Sequence, residues 1–509
     1  MSEPNDKNGT GAAPGSKLEN MRLTGSLDSD IDAFKTIFSN NDMLVVRYVG
    51  EQNASTARCC ILFFEGMADE KVINESIIKP LMAAPPSPGS NTADILMDKV
   101  ISAHAVRKLS AVDTLVEAVL NGDTLLFVDG SNEALSIGSK TIKTRAIEEP
   151  EAEKVIRGPR EGFTESLILN LALLRRKLLT QNFKLNLRTM GRQTRTKVCI
   201  CYIEGIANTK ILEELQKRLD EIDIDGILDS NYIQELIKDA PLSPFKTIGN
   251  SERPDIVAAK LLEGRIALLV DGTPIALTLP HIFIEYFQTN DDYYLSLFLS
   301  TINRLLRVFG FLLTIGVPAI YLALITFHQE MIQTSLILSI ASARQGMPFP
   351  TLIEALALLI VFDLLREAGT RMPTYIGQSL SIVGALVIGQ AAVEARFVSA
   401  PMVIVVALSG ITGLIIPKLK GAVIFLRVTF LFLASFLGLY GYIFGMAGLL
   451  IHLFELRTFG VPYMYGLMSL NIQDLKDTAI RMPWWYMKYR PGLISGPNRI
   501  RQRMRKKKN

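Results

Sequence analysis

Cysteine is scarce in this 509-residue chain, and neither sign of charge predominates. The four cysteines, Cys59, Cys60, Cys199 and Cys201, are too few for a secreted scaffold held together by disulfides, and we expect them to be free thiols in the protein core. Lys and Arg number 54 against 50 Asp and Glu, which gives a formal net charge of +4. This balance argues against a nucleic-acid-binding protein, because phosphate backbones attract strongly basic surfaces.

The sequence also lacks the common catalytic and cofactor-binding motifs. It contains no Walker loop, no GxGxxG after a strand and no GxSxG. The four histidines occur without HExxH or any metal-ligand spacing. We therefore predict that the protein is not an enzyme and that it uses no cofactor and no metal. Without an ATP-binding motif, primary active transport is also disfavoured.

Long apolar runs are missing from the first 300 residues and dominate the next 150. Residues 1–40 are polar, contain no signal-peptide core and are predicted to form a disordered tail. The mean hydropathy of the whole chain is nevertheless +0.27, which indicates segments solvated by lipid. Four uncharged runs are about as long as bilayer-crossing helices, which need ~20 residues. These runs are 308–327, 372–393, 397–416 and 428–451.

A weaker fifth region, 331–362, decides the predicted topology. If it crosses once, the basic residues within 366–371 and 418–427 lie on the same side as Arg304 and Arg307, as the positive-inside tendency requires. We therefore predict five crossings, with the N-terminal region in the cytoplasm. The basic C-terminal end would then lie outside, although it prefers an anionic cytoplasmic surface. Six crossings are the alternative, in which the glycine-rich stretch 421–454 makes a tight double pass.

Two matched pairs of segments indicate an internal repeat. RCCILFFEGMAD at 58–69 aligns with KVCICYIEGIAN at 197–208, and LNGDTLLFVDGS at 120–131 aligns with LEGRIALLVDGT at 262–273. An apolar run followed by Asp-Gly is a hairpin signal. The fold class is therefore an α/β cytoplasmic region of two related subdomains followed by an α-helical polytopic membrane domain. The predicted domains are the tail (1–40), subdomain 1 (41–145), a linker with a connecting helix (146–184), subdomain 2 (185–300), the transmembrane helical domain (301–455) and a polar, basic C-terminal tail (456–509).

Ionisable residues at membrane depth are candidates for function. A charge near the bilayer centre costs ~2.5–3.5 kcal/mol on insertion scales, so such a group normally faces protein or a watery path. The charge candidates are Glu354, Asp363, Arg366, Glu367 and Arg396. Asp363 is a helical neighbour of both Arg366 and Glu367, so a local ion pair at the inner interface is an equally good interpretation of part of this cluster.

Small and polar residues along 372–394 are the pore or gating candidates. They recur at intervals of three or four and predict one helical face, and an acidic residue follows at the end of the run. A face of small residues usually packs helices together, and the alternative is that copies of this helix around an axis line an ion path. The candidates are Gln378, Ser381, Ala385, Gly389, Ala392 and Glu394.

Several longer motifs resemble the A-subunit family of spore germinant receptors, the GerA type, over most of the chain. They are GPREGFTE at 158–165, DLLREAGTRMP at 363–373, SIVGALVIGQAAVE at 381–394 and PMVIVVAL at 401–408. The resemblance implies a protein of the spore inner membrane that works with an integral-membrane B subunit and a lipoprotein C subunit. It further implies a homo-oligomer that forms a nutrient-gated monovalent cation channel and triggers germination.

One departure from the family and two alternative functions follow from this resemblance. Arg396 stands where family members often have Gly, and its cation is expected either to pair with Glu394 or to alter permeation. The first alternative is a non-conducting membrane scaffold that assembles germination proteins through its cytoplasmic repeats. The second is an auxiliary channel component associated with dipicolinic acid transport. The basic C-terminal end is expected either to bind anionic membrane lipids or to be a solvated tail.

Overall fold

Two α/β units precede a bundle of long helices in the computed structural model. The residues that it describes are 21–49, 58–83, 92–97, 101, 105–140, 149–150, 153–155, 157–372, 384–385, 387–467, 477–478 and 480–502.

The first unit is built on a five-stranded antiparallel sheet. Its elements are α1 (Leu27–Ile37), β1 (Leu44–Val49), β2 (Cys59–Phe64), α2 (Glu70–Val72, continued by the π-helical Ile73–Ile78 and by Lys79–Ala83), α3 (Thr92–Ile95), β3 (Val106–Leu109), α4 (Val112–Leu120), β4 (Thr124–Val128) and β5 (Ala134–Ile137). The strand order is β1-β2-β4-β5-β3. Successive residues of β2 point to opposite faces of the sheet, so Ile61 packs in one apolar cluster and Leu62 in another. Burial on both faces explains why this strand is an unbroken apolar run.

The second unit repeats this topology. Its elements are α5 (Leu167–Lys177), β6 (Phe183–Met190), β7 (Thr196–Ile203), α6 (Thr209–Asp220), α7 (Ser230–Ile237), β8 (Gly249–Ser251), α8 (Pro254–Glu263), β9 (Ile266–Val270) and β10 (Ala276–Leu279). The strand order β6-β7-β9-β10-β8 is that of the first sheet. Gly130 and Gly272 occupy equivalent turns with φ of 80° and 87°, a conformation that glycine adopts without strain.

The aspartates of the two Asp-Gly turns have the same structural task. Asp129 Oδ1 accepts a hydrogen bond from the Leu27 amide at 3.3 Å, and Asp271 Oδ1 accepts one from the Leu167 amide at 3.0 Å. Each carboxylate therefore satisfies a free N–H in the first turn of the helix that precedes its sheet and complements the positive end of that helix. The repeat thus includes α1 and α5.

A second pair of contacts confirms that α1 and α5 are equivalent. The Thr24 amide donates to Asp30 Oδ1 at 2.9 Å, and the Thr164 amide donates to Asn170 Oδ1 at 2.7 Å. The prediction of a disordered tail is therefore wrong for the helix Leu27–Ile37, whose apolar side chains are buried against the first sheet. Likewise, α5 belongs to the second unit and is more than a connecting helix.

Arg175 lies in the core that the two sheets share. Its side chain has no exposed surface, and its guanidinium carbon lies 4.7 Å from the ring centre of Phe64 and 4.9 Å from that of Phe183. Phe64 belongs to the first unit and Phe183 to the second, so the cation is held between rings of both units. One apolar cluster includes residues of both sheets, and the two units therefore pack as one body.

The second half of the chain is helical. Its elements are α9 (Asp291–Tyr294), α10 (Leu297–Thr326), α11 (Thr334–Arg344), α12 (Thr351–Arg371), α13 (387–394), α14 (Ala400–Leu414), α15 (Lys420–Glu455), β11 (Arg457–Thr458), β12 (Val461–Pro462) and short 3-10 helices at Phe283–Phe287, Gln329–Met331, Pro417–Leu419 and Trp484–Tyr486. Among the described residues, two helical stretches, Leu297–Thr326 and Pro417–Glu455, are long and apolar enough to cross a bilayer. The number of crossings remains a prediction.

The helix α15 reverses direction at Gly438 and is a helical hairpin. Gly438 has φ 58° and ψ −139°, which is not a helical conformation. The rings of Phe430 and Tyr442 lie 5.5 Å apart, whereas twelve residues of straight helix would separate them by ~18 Å along the axis. The tip lies beside the end of α10, because a Cβ added to Gly438 would be 2.7 Å from His328 Cε1. Its two arms are 420–437 and 439–455.

The C-terminal segment returns to the α/β units. The Gly496 amide donates to the Ile206 carbonyl at 2.7 Å, and Arg490 Nε donates to the Leu262 carbonyl at 2.7 Å. Residues 490–496 therefore pack on the second unit and are not a free tail. These contacts disagree with the predicted five-crossing path, which places this segment on the opposite side of the bilayer from the α/β region.

Candidate functional site

The predicted charge at position 363 lies at the centre of an ion cluster between two helices. Arg366 Nη2 donates to Asp363 Oδ1 at 2.9 Å from the same helix, α12, and Arg427 Nη2 donates to Asp363 Oδ2 at 2.5 Å from the first arm of the hairpin. The Arg427 side chain is 3% exposed. A buried guanidinium without a counterion raises the free energy of the folded state. The contact between Asp363 and Arg427 therefore holds α12 and the first arm of the hairpin together.

Glu367 forms a second, more exposed link one turn further along α12. Its carboxylate accepts hydrogen bonds from Arg371 at 3.0 Å and from Lys420 Nζ at 2.9 Å. Lys420 begins the first arm of the hairpin, so both carboxylates connect the same pair of elements. The side chains of Glu367 and Lys420 are 47% and 39% exposed, so solvent screens this pair more than the Asp363 cluster.

Glu354 lies near the start of α12 and is buried. Its Oε1 accepts hydrogen bonds from the backbone amide and the hydroxyl of Ser399, both at 2.5 Å. Its Oε2 has no hydrogen-bond partner within the described part of the chain. The carboxylate therefore fixes the N-terminus of α14, where Ser399 is the residue before the helix.

The structure separates the pore candidates into two groups. Gly389 and Ala392 are half-buried, and a Cβ added to Gly389 would contact Val403 of α14 at 3.8 Å. Glu394 is exposed and accepts a hydrogen bond from Gln390 Nε2 at 3.0 Å. Within α13, Glu394 is two residues from Ala392, which is ~200° around the helix, so Glu394 lies on the side away from Gly389 and Ala392.

The remaining candidates are either exposed or outside the described residues. Ala385 is exposed, and Gln378 and Ser381 lie outside the described residues. Arg396 is exposed with φ 57°, and among the described side chains it forms no ion pair with Glu394. The predicted pairing of these two residues is therefore not present in the single chain.

A buried ion network, which the sequence analysis missed, connects the start of α10 to other parts of the chain. Arg304 Nε donates to Asp292 Oδ2 at 3.2 Å, and its Nη1 donates to Asp477 Oδ1 at 2.9 Å. Arg307 Nη1 donates to Asp292 Oδ1 at 2.9 Å. The sequence marked both arginines only as positive-inside residues. Asp292 precedes Arg304 by twelve residues and could have been predicted as its ion-pair partner. Asp477 is 173 residues from Arg304, so the sequence gives no sign of that contact.

A second buried network joins the end of β10 to α8. The Glu285 carboxylate is 2.7 Å from Arg265 Nη1, 2.8 Å from Lys260 Nζ and 3.2 Å from His281 Nδ1. Burial alone would raise the pKa of Glu285, but the cations of Arg265 and Lys260 outweigh it and hold that pKa well below its usual value. Burial lowers the pKa of His281, which keeps its imidazole neutral.

Comparison with known proteins identifies the family. The model for the family described as "Bacillus/Clostridium GerA spore germination protein" matches residues 32–493 and so includes both the α/β units and the helices. The chain belongs to the GerA family. The resemblance that the sequence motifs indicated is thereby confirmed, and the match is to a spore germination family and not to a known enzyme family.

Individual GerA relatives are similar over nearly their whole length. Spore germination protein KA of Bacillus subtilis (strain 168) is 40% identical over 92% of this chain and 86% of its own. Spore germination protein GerLA of Bacillus cereus is 35% identical over 92% and 96%. A crystal structure of the N-terminal domain of the A subunit of the Bacillus megaterium spore germinant receptor GerK3 matches 52% of this chain and 98% of that domain, with 34% identity and a TM-score of 0.41.

Proposed function

We propose that this GerA protein is the A subunit of a nutrient germinant receptor in the spore inner membrane, and that it oligomerises into a ligand-gated monovalent cation channel. The observation that carries the proposal is the family match over 32–493, because it includes both the α/β units and the helical half. Its relatives are named as spore germination proteins, and one solved relative is named as a receptor A subunit. The B and C subunits are the expected partners.

The path of the helices supports six membrane crossings. α10 leaves the α/β units, α12 returns from Glu354 to the Asp363 cluster, and we propose that 372–394 makes the third crossing. α14 returns to Lys418, and the two arms of the hairpin complete the last pair of crossings. This path places the N-terminal units and residues 490–496 on one side, in agreement with their mutual contacts. The arms have 18 and 17 residues, within the range of ~17–25 for a crossing helix.

The exposed polar side of α13 supports an oligomeric pore. Gln390 and Glu394 are hydrogen-bonded to each other and exposed on the surface of a single chain. A carboxylate facing lipid costs up to ~2.5–3.5 kcal/mol, so this face requires either water or a second copy of the chain. Copies arranged around an axis would place a ring of carboxylates on the ion path, which favours cations. Gln378, Ser381 and Ala385 remain proposed gating positions on the small-residue side predicted for 372–394.

The decisive test replaces the carboxylate of Glu394 by an amide of nearly the same shape. Spores that carry Glu394→Gln are expected to release potassium several-fold more slowly after nutrient addition than wild-type spores with the same amount of receptor. Glu455→Gln is the matched control, because Glu455 is also an exposed glutamate but lies at the end of the last helix. Ala385→Leu is expected to block release, because a bulky side chain on the small-residue side would disturb the helix packing that gates the path.

The same experiment separates the channel from a scaffold. Normal potassium release in both Glu394→Gln and Ala385→Leu spores, with normal protein levels, would contradict the pore assignment and leave the family membership intact. Purified receptor that passes no current in liposomes with any nutrient, while still binding its partner subunits, would favour the scaffold.

A further inference from the structure

A cavity of 340 Å³ lies where the second α/β unit meets the helices. Its walls come from three parts of the chain: the segment at Glu153, the second unit around Lys246 and Lys260, and the connection between α14 and the hairpin at Lys418. The volume is within the range of ~300–1,000 Å³ that is usual for small-ligand sites. A ligand here would contact the α/β region and the helical half at once.

Positive charge exceeds negative charge around this cavity. Six lysine and arginine side chains line it, against four carboxylates. One of these carboxylates, Glu285, is shared by Lys260, Arg265 and His281. Lys418 Nζ is 2.5 Å from Glu153 Oε1, so this lysine also has its counterion. Glu285 and Glu153 are therefore already engaged by basic neighbours, and the four carboxylates together leave two of the six cations unbalanced.

Lys246 is a cation of this cavity that has no counterion within the described part of the chain. Its ammonium forms no ion pair with any described side chain, although its backbone is fixed on both sides. The Lys246 amide donates to the Tyr286 hydroxyl at 2.9 Å, and the Tyr463 hydroxyl donates to the Lys246 carbonyl at 2.9 Å. Partial burial, together with the positive charge of Lys418, lowers the pKa of Lys246. Two lysines thus repel each other across the cavity, and an anion between them would remove that repulsion.

The walls of the cavity also define the shape of the ligand. Ile248 and Ile256 contribute apolar surface from the second unit, and Ile415 and Pro417 contribute it from the connection between helices. The side chains of Lys246 and Lys418 are accessible to solvent beside these apolar walls. Accessible cations next to apolar surface suit a compact anionic group attached to a small organic body.

We propose that this cavity is a binding site for a phosphate group, in which Lys246 and Lys418 contact the phosphate oxygens and join the second α/β unit to the connection between α14 and the hairpin. Either a free phosphate compound or the headgroup of an anionic lipid carries this chemistry, because the cavity lies at the start of the predicted membrane region. The proposal does not depend on channel activity, so failure of the pore experiments leaves it standing.

Thermal unfolding of the purified full-length protein tests the proposal. In the first arm, the protein in neutral detergent is titrated with inorganic phosphate at constant ionic strength, with chloride as the reference anion. In the second arm, the protein is placed in phosphatidylcholine nanodiscs with or without phosphatidylglycerol. Stabilisation by phosphate supports a soluble ligand, and stabilisation by phosphatidylglycerol alone supports a lipid headgroup.

Variants of Lys246 make the result specific to the cavity. Lys246→Gln is expected to weaken phosphate binding about tenfold or more, and Lys246→Arg is expected to restore it, because the variants differ in charge and not in the surrounding ion pairs. Lys217→Gln is the matched control, since Lys217 is exposed on α6 of the same unit and lies outside the cavity. No stabilisation of the wild type in either arm, or equal binding by the Lys246→Gln variant, would overturn the proposal.

Discussion

Replacement of Gly438 by alanine tests the hairpin that determines the side on which the C-terminal segment lies. With φ 58° and ψ −139°, this position is in a region that residues with a Cβ avoid, at a cost of ~1–3 kcal/mol. The added Cβ would also lie 2.7 Å from His328 Cε1 and 3.0 Å from Phe327 Cβ. The second contact involves an atom fixed to the backbone, so relaxation of the His328 side chain cannot relieve it.

The two effects together predict a loss of about 2 kcal/mol or more for Gly438→Ala, which is roughly a 30-fold shift towards the unfolded hairpin. Gly448→Ala is the matched control in the second arm, where nothing lies within 4 Å of the added Cβ and φ is not positive. Alanine favours a helix over glycine, so this control is expected to be neutral or stabilising.

The assay is thermal unfolding of both variants in the same detergent, combined with labelling of a cysteine placed at residue 509 in intact and in permeabilised vesicles. Gly438→Ala is expected to melt earlier than Gly448→Ala and to show more mixed accessibility of its C-terminal end. Equal melting of the two variants would refute the hairpin geometry. Labelling of the wild-type end from the side opposite to the α/β units would refute the even number of crossings.

Two further outcomes follow from the ion networks. Asp363→Ala is expected to destabilise the protein by ~3–5 kcal/mol, because it leaves the buried Arg427 without its carboxylate. Glu367→Ala is expected to have a smaller effect, because solvent screens its ion pair with Lys420. Equal melting temperatures of the two variants would contradict this ranking. Because burial lowers the pKa of His281 below that of the unfolded chain, its contribution to stability is present above about pH 6.5 and is lost as the pH falls. His281→Gln should therefore flatten the decline of melting temperature on acidification, and parallel pH curves for variant and wild type would exclude this role.

The repeated α/β units were predictable from sequence because their constraints are local. An apolar strand that ends in Glu-Gly and a turn that requires Asp-Gly leave the same residues at the same places in both copies. The helix α1 was missed, although Leu27, Ile31 and Phe34 recur at helical spacing, because the polar composition before them suggested a continuous tail. Attention to Thr24 and Asp30, which match Thr164 and Asn170, would have revealed it.

The partners of the charged residues in the helical half were only partly predictable. Asp363 and Arg366 are three residues apart on one helix, so their proximity follows from helical periodicity. Arg427 reaches the same carboxylate from 64 residues away, and this contact depends on how the helices pack. The position of Glu394 on the side away from Gly389 and Ala392 was predictable from the sequence, because two residues turn a helix by ~200°.

The packing of the core indicates which α/β unit acts on the helices. The apolar cluster on the outer side of the second sheet includes Ile200 and Leu268 and continues without interruption to Phe311 and Phe430 of the helical half. One apolar cluster of the first unit extends into the second unit, and the other consists of first-unit residues only. Because close-packed interiors transmit displacement rather than absorb it, a change in the first unit reaches the helices through the second. Within the described part of the chain, the apolar core therefore connects the first unit to the helices by way of the second sheet.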